Sequence, residues 1–135
     1  MTRYMLDTNT VSHLLKKHPV VARRVVAVPI TDLCISAITQ GELLFGLAKR
    51  PDATALHGAV REFLRRVDVV PWDAATSEVY GPARAASQRG GRVLAPMDLL
   101  IGSHALSIDA VLVTNDRAFG QLSGLSIEDW TEESR

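Results

Sequence analysis

Val111-Leu112-Val113-Thr114-Asn115-Asp116 is a β-branched apolar run that stops on small polar residues and an acid. Three earlier segments share this shape: Tyr4-Met5-Leu6 ending at Asp7, Leu33-Cys34-Ile35 ending at Ser36, and Val67 to Val70 stopped by Pro71. Each is strand-sized and too short for a helix. Helical patterns fill the intervals. Leu56, Val60, Phe63, Leu64 and Val67 fall at i, i+4, i+7, i+8 and i+11, one face of a helix. Ser36 to Lys49 and Leu99 to Ile108 read the same way. Asp73 is expected to cap an alanine-rich helix that Gly90-Gly91 ends. Pro82 is expected to kink or restart that helix, because it removes one backbone donor. A last short strand is expected over Leu125 to Ile127, ahead of Trp130. Strands alternating with helices imply crossover connections and a parallel sheet, hence an α/β fold. In such sheets ligands bind beyond the carboxyl ends of the strands, which directs attention to the residues on which these runs end.

At 135 residues the chain fits one domain, 1–135. A domain of that size buries roughly 70% of the surface its unfolded chain exposes, so it needs no staples. No apolar run reaches ~18 residues, so no membrane span is expected. Met1-Thr2-Arg3-Tyr4 runs straight into a strand and does not look like a signal peptide. A lone cysteine, Cys34 in an apolar run, excludes a disulfide framework and reads as a buried inert thiol. Together these point to a soluble cytoplasmic protein. Net charge is zero but unevenly spread. Glu128, Asp129, Glu132 and Glu133 gather near the C-terminus, while Arg61, Arg65 and Arg66, and again Arg84, Arg89 and Arg92, form basic runs. This balance neither supports nor excludes an RNA partner.

Four acids lie at or near the strand ends. Asp7 directly follows the first strand, and Asp116 follows the fourth by three residues. Glu42 lies about two turns into the helix after the second strand, and Asp98 near the start of the helix that leads into the fourth. Each has a plain structural reading. Asp7 and Asp116 could cap helices. Thr39-Gln40-Gly41-Glu42 matches a capping box. Asp98 follows Pro96 in a first turn, where an acid suits the helix dipole. Taken together, they put acids on one rim of the sheet with no basic residue in the same motifs. Converging carboxylates repel, so they must take up a proton or a cation. Magnesium and manganese prefer such oxygen ligands. Zinc would call for grouped Cys and His, and His13, His18, His57 and His104 show no grouping. Magnesium held by carboxylates suits phosphodiester hydrolysis by an activated water, with no histidine or lysine nucleophile.

These segments also resemble a family. Leu6-Asp7-Thr8-Asn9, Glu42-Leu43-Leu44-Phe45-Gly46-Leu47, Asp98-Leu99-Leu100-Ile101, and Leu112-Val113-Thr114-Asn115-Asp116 with Phe119 look like the ordered motifs of PIN-domain proteins. Gly124-Leu125 to Trp130 looks like the usual ending of the bacterial VapC toxins. The resemblance covers nearly the whole chain. It implies a three-layer α/β/α sandwich with a central parallel sheet, and a Mg2+-dependent endoribonuclease in which Mn2+ substitutes. It also implies a cognate VapB-type antitoxin covering the acidic cleft through an arginine, and a homodimer. By position, Asp7, Glu42 and Asp98 match the acidic core, and Asp116 a fourth acid where many relatives carry Asn. Thr114 matches a hydroxyl that orients the site, and Asn9 a polar neighbour of the first acid. The basic segment Arg84, Arg89 and Arg92 is a candidate for RNA phosphates. Departures from the pattern are Gly102-Ser103 where two alanines are usual, Pro82 within a helix, and Asp109 where glycine is commoner.

Rival readings fit less well. A phosphatase of the haloacid dehalogenase type needs a second acid two residues after the first, where this chain has Asn9. A phosphorylation-receiver domain needs an acidic pair and a late lysine, yet Asp7 has no acidic neighbour and Arg117 is the base near Asp116. The strongest rival is a PIN-like module that binds RNA or protein without cutting. The presence of all four acids argues against it.

Overall fold

The computed structural model describes residues 2–91 and 94–133. β1 (Tyr4–Leu6) leads through α1 (Thr8–Leu15) and α2 (Pro19–Val26) to β2 (Leu33–Ser36). α3 (Ala37–Ala48) and α4 (Thr54–Arg66) carry the chain to β3 (Asp68–Val70). α5 (Ala74–Arg89) and α6 (Pro96–Ser107) return it across the sheet to β4 (Val111–Val113), and a 3-10 turn (Arg117–Gln121) precedes β5 (Ile127–Glu128). The order is β3-β2-β1-β4-β5 with every neighbouring pair parallel.

Successive residues of a strand face opposite sides of the sheet, and here both sides are apolar cores. Met5, Cys34 and Leu112 pack with Leu99, Ile101 and Ala105 of α6 and with Phe119. Leu6, Leu33, Ile35 and Val113 pack with Val11 of α1, Leu43 and Leu47 of α3, Val60 of α4 and Trp130. Burial on both faces is why the strands read as continuous apolar runs. The expected three-layer α/β/α sandwich is the observed architecture. No helix among the described residues is long and apolar enough to cross a membrane.

The strand order has one reversal. From β1 the chain builds outward through β2 to β3, then crosses back to β4 on the other side of β1. The crevice beyond the carboxyl ends of β1 and β4 is therefore the topological switch point, where open α/β sheets bind ligands. Asp7 and the Thr114–Asp116 turn leave the sheet there. The Asp7 N–H donates to the Val113 carbonyl at 3.1 Å, joining the two strand ends.

Several expectations need correction. β5 is Ile127–Glu128, not Leu125–Ile127. Ile127 and Glu128 ladder with Leu112 and Val113, whereas the Leu125 N–H bonds the Leu122 carbonyl in a turn and its side chain only packs on the core. Val67 closes α4 rather than opening β3, its N–H bonding the Phe63 carbonyl. α5 runs unbroken through Pro82. Pro82 and Glu78, whose carbonyl loses its donor, are exposed, so water can take that bond. Thr76 and Ser87 on either side are buried. At Gly102 a Cβ would run into Leu122 and press on Phe119. Asp109 has φ 54°, the left-handed geometry that aspartate tolerates. Cys34 is fully buried, and burial pushes its thiol up to about 11.

Candidate active site at the switch point

Asp7 is 4% exposed and caps α1, one carboxylate oxygen accepting the Thr10 N–H at 2.8 Å. Its second oxygen takes no hydrogen bond among the described residues. Asp116 caps the 3-10 turn in the same way, through the Ala118 N–H at 2.9 Å. Its own N–H donates to Thr114 Oγ1 at 3.0 Å. Thr114 is buried, with its N–H on the Glu128 carbonyl at 2.9 Å. Capping and clustering do not compete here, because a carboxylate has an oxygen for each.

Glu42 has a different anchor. The capping box does not form. α3 starts at Ala37, and Ser36 caps it by accepting the Ile38 N–H at 3.0 Å. Glu42 instead accepts the Thr8 hydroxyl at 2.5 Å, and Thr8 Oγ1 lies 3.2 Å from Thr39 Oγ1. Thr8 thus ties α3 to α1 beside Asp7. Sequence reading passed over Thr8, although it stands inside the Leu6-Asp7-Thr8-Asn9 motif. Asn9 is exposed and makes no hydrogen bond among the described residues.

Asp98 sits half-buried in the first turn of α6, and its side chain has no hydrogen bond or ion pair among the described residues. Burial pushes its pKa up, and the negative charges of Asp116, Asp7 and Glu42 push it further, in that order. All four sequence-predicted acids therefore share one electrostatic neighbourhood. None has a counter-ion among the described residues. The ion pairs among the described residues join Arg3 to Asp68, Arg23 to Glu133, Arg24 to Glu128, and Arg65 and Arg66 to Glu62. Those pairs partly neutralise the basic run on α4 and the acidic C-terminal segment.

Neither Arg84 nor Arg89 forms an ion pair with the acids among the described residues. Arg84 donates to the Tyr80 hydroxyl at 3.1 Å and shares a small cavity with Pro96 and Leu99 at the start of α6. Arg89 is exposed in the last turn of α5. Arg92 lies outside the described residues. The histidines serve structure. His18 caps α2, His57 bonds the Arg50 carbonyl, and His104 is buried against Ser36.

The donor set is all oxygen, with Cys34 sealed in the core. Among the described residues, no three His, Cys, Asp or Glu side chains stand close enough to ligate one ion directly. An all-oxygen donor set fits magnesium, which keeps several waters and takes one or two carboxylates directly, better than zinc, which calls for Cys and His. The uncompensated charge around Asp98 is the feature such a cation would relieve.

A PIN domain family model matches residues 4–125. The chain belongs to the PIN-domain family. Within it, the chain is 35% identical to the tRNA(fMet)-specific endonuclease VapC of Shigella flexneri, over 97% of this chain and 100% of the relative. It is 31% identical to ribonuclease VapC2 of Rickettsia felis, over 94% and 97%. Among solved structures it resembles DNA-bound VapBC from Salmonella typhimurium, with a TM-score of 0.89 and 35% identity over 96% of this chain and 99% of the other. Rickettsia felis VapBC2, bound to a DNA fragment from its promoter, gives 0.87 and 30% over 96% and 99%.

Proposed function

We propose that this chain is a metal-dependent endoribonuclease that hydrolyses RNA phosphodiester bonds, and that it is the toxin of a toxin–antitoxin pair in the cytoplasm. The observation that carries the reading is Asp98, raised by burial and by three neighbouring acids, with no ion pair to any of the four among the described residues. The relatives' names, ribonuclease and endonuclease, support the activity, and the VapBC complexes support the partner.

Asp7, Glu42, Asp98 and Asp116 would hold Mg2+, or Mn2+ in its place. When bound, such an ion lowers the pKa of a water and shields charge on the phosphate. The chain's own residues set the frame. The Thr10 N–H fixes one Asp7 oxygen and leaves the other for the site. Thr8 holds Glu42, and Thr114 holds the backbone of Asp116. Asp98 has no such partner and feels the other three charges, so its carboxyl takes up a proton more readily than an isolated aspartate. A VapB-type antitoxin would close the cleft with an arginine, whose charge replaces the cation's. A homodimer is part of the same reading.

Purified protein incubated with total RNA tests it. Cleavage is expected in magnesium or manganese and not in chelator, and Asp98→Asn should abolish it. Cleavage persisting in excess chelator overturns the metal mechanism. No cleavage in either metal overturns the ribonuclease reading.

A further inference from the structure

α3 presents more than an acid to the site. Glu42, Phe45 and Lys49 fall at i, i+3 and i+7, one stripe of the helix. Phe45 is 63% exposed, so much of its ring is open to solvent. The Lys49 ammonium lies 4.7 Å from its ring centroid. Beside this stripe runs a groove of about 260 Å³ between α1, α3 and α4. It opens at Thr8 and Glu42, and Lys16, Lys49 and Arg50 line it. None of these three cations is in an ion pair among the described residues, and Glu42 is the one acid in the lining. Gly46 also lines it, and a Cβ there would meet nothing within 4 Å. Glycine inside a helix costs stability; here it leaves the groove open.

We infer that this groove binds single-stranded RNA flanking the scissile bond, with one base stacked on Phe45 and the adjoining phosphates on Lys16, Lys49 and Arg50. This rests on the ribonuclease reading above. A strand with one phosphate at the acids must leave past one bank of the cleft. This bank alternates an aromatic face with uncompensated positive charge, the pattern that binds unpaired nucleic acid without sequence preference. A base inside a duplex has both faces covered and cannot stack on the ring. The inferred substrate segment is therefore a loop or an unpaired stretch.

The test uses the full chain in chelator, where nothing is cut, with a fluorescent single-stranded oligoribonucleotide and a blunt RNA duplex of equal length. Anisotropy gives the affinities, and melting temperature checks the fold. Phe45→Ala is expected to weaken single-strand binding about tenfold and to leave duplex binding alone, with Phe45→Trp restoring it. Lys16→Ala with Lys49→Ala should flatten the salt dependence by about 0.7 in log–log slope per phosphate lost. Gly46→Glu, which the open space accommodates, should also weaken binding. A parent that cleaves RNA, with Phe45→Ala binding and cleaving equally well, overturns the groove and leaves the ribonuclease reading standing. A parent that neither binds nor cleaves overturns both. If Phe45→Ala loses only a co-expressed antitoxin and keeps its RNA affinity, the stripe is a protein-docking surface and the inference fails.

Discussion

His104 on α6 and Ser36 at the head of α3 are joined in the core, Nδ1 to Oγ, at 2.6 Å. The bond spans the two helices that carry Asp98 and Glu42. On the ring's other side Nε2 is buried beside the Pro71 backbone with no hydrogen-bond partner among the described residues. Burial pushes the His104 pKa down, against smaller upward pulls from the Pro71 backbone and Asp73. A histidine depressed in the folded state adds stability that is complete above its ordinary 6.5 and is lost as pH falls through the folded value. The melting temperature should therefore drop on acidification from about pH 7 to 5, and His104→Gln should remove that part of the slope. Equal slopes for parent and mutant would acquit His104.

Asp98 has the opposite sign. A carboxyl raised in the folded state contributes stability that is complete below its ordinary 3.8 and lost as pH rises through the folded value. At neutral pH the ionised group strains the metal-free protein. Asp98→Asn should thus melt higher than the parent in chelator and gain less from magnesium, since it binds the ion more weakly. A residue that merely served the α6 dipole would instead cost about 0.5 kcal/mol on removal. A mutant that melts lower in chelator and gains as much from magnesium as the parent would assign Asp98 to that helix role.

Thr8 is predicted to matter through Glu42. A hydrogen bond to a charged group is worth about 1.5–3 kcal/mol. Thr8→Val should lower cleavage by roughly tenfold or more at saturating magnesium, and Thr8→Ser should recover most of it. If Thr8→Ser fails as badly as Thr8→Val, the hydroxyl is not what Thr8 supplies.

The products carry the signature of the nucleophile. The cluster holds carboxylates and no histidine to deprotonate a ribose 2′-hydroxyl, so water is the expected attacker. Sequencing of ends should find 5′-phosphate and 3′-hydroxyl termini. A 2′,3′-cyclic phosphate would contradict that.

The three arginines Arg84, Arg89 and Arg92 make a separate case. If Arg84, Arg89 and Arg92 meet RNA phosphates, replacing all three with alanine should weaken binding and flatten its salt dependence. An unchanged slope leaves them as solvated charges.

The sequence revealed the sheet because burial on both faces makes each strand apolar throughout, and revealed Asp7 and Asp116 because they stop those runs. It also placed Glu42 and Asp98 on the helices that lean over the same rim. What it hid depends on contacts distant along the chain. The Ser36–His104 bond spans 68 positions and the Thr8–Glu42 bond 34, and neither leaves a local pattern. Leu125 misled for a related reason: an apolar residue beside a strand packs on the core without joining the ladder. Thr39 looked like a cap because its neighbours spell one, but the helix had already begun at Ala37, behind the Ser36 cap.

The bond from the Asp7 N–H to the Val113 carbonyl has a bearing on when such a protein becomes dangerous. Residues near the two ends of the chain must meet before the four acids share a rim. A ribosome still short of β4 has produced three acids but no closed crevice, and a fragment cut anywhere between α1 and β4 cannot assemble one alone. The rim of acids is therefore complete only once β4 has joined β1, with the last crossover back across the sheet. On the reading proposed above, no shorter stretch of the chain carries an assembled site.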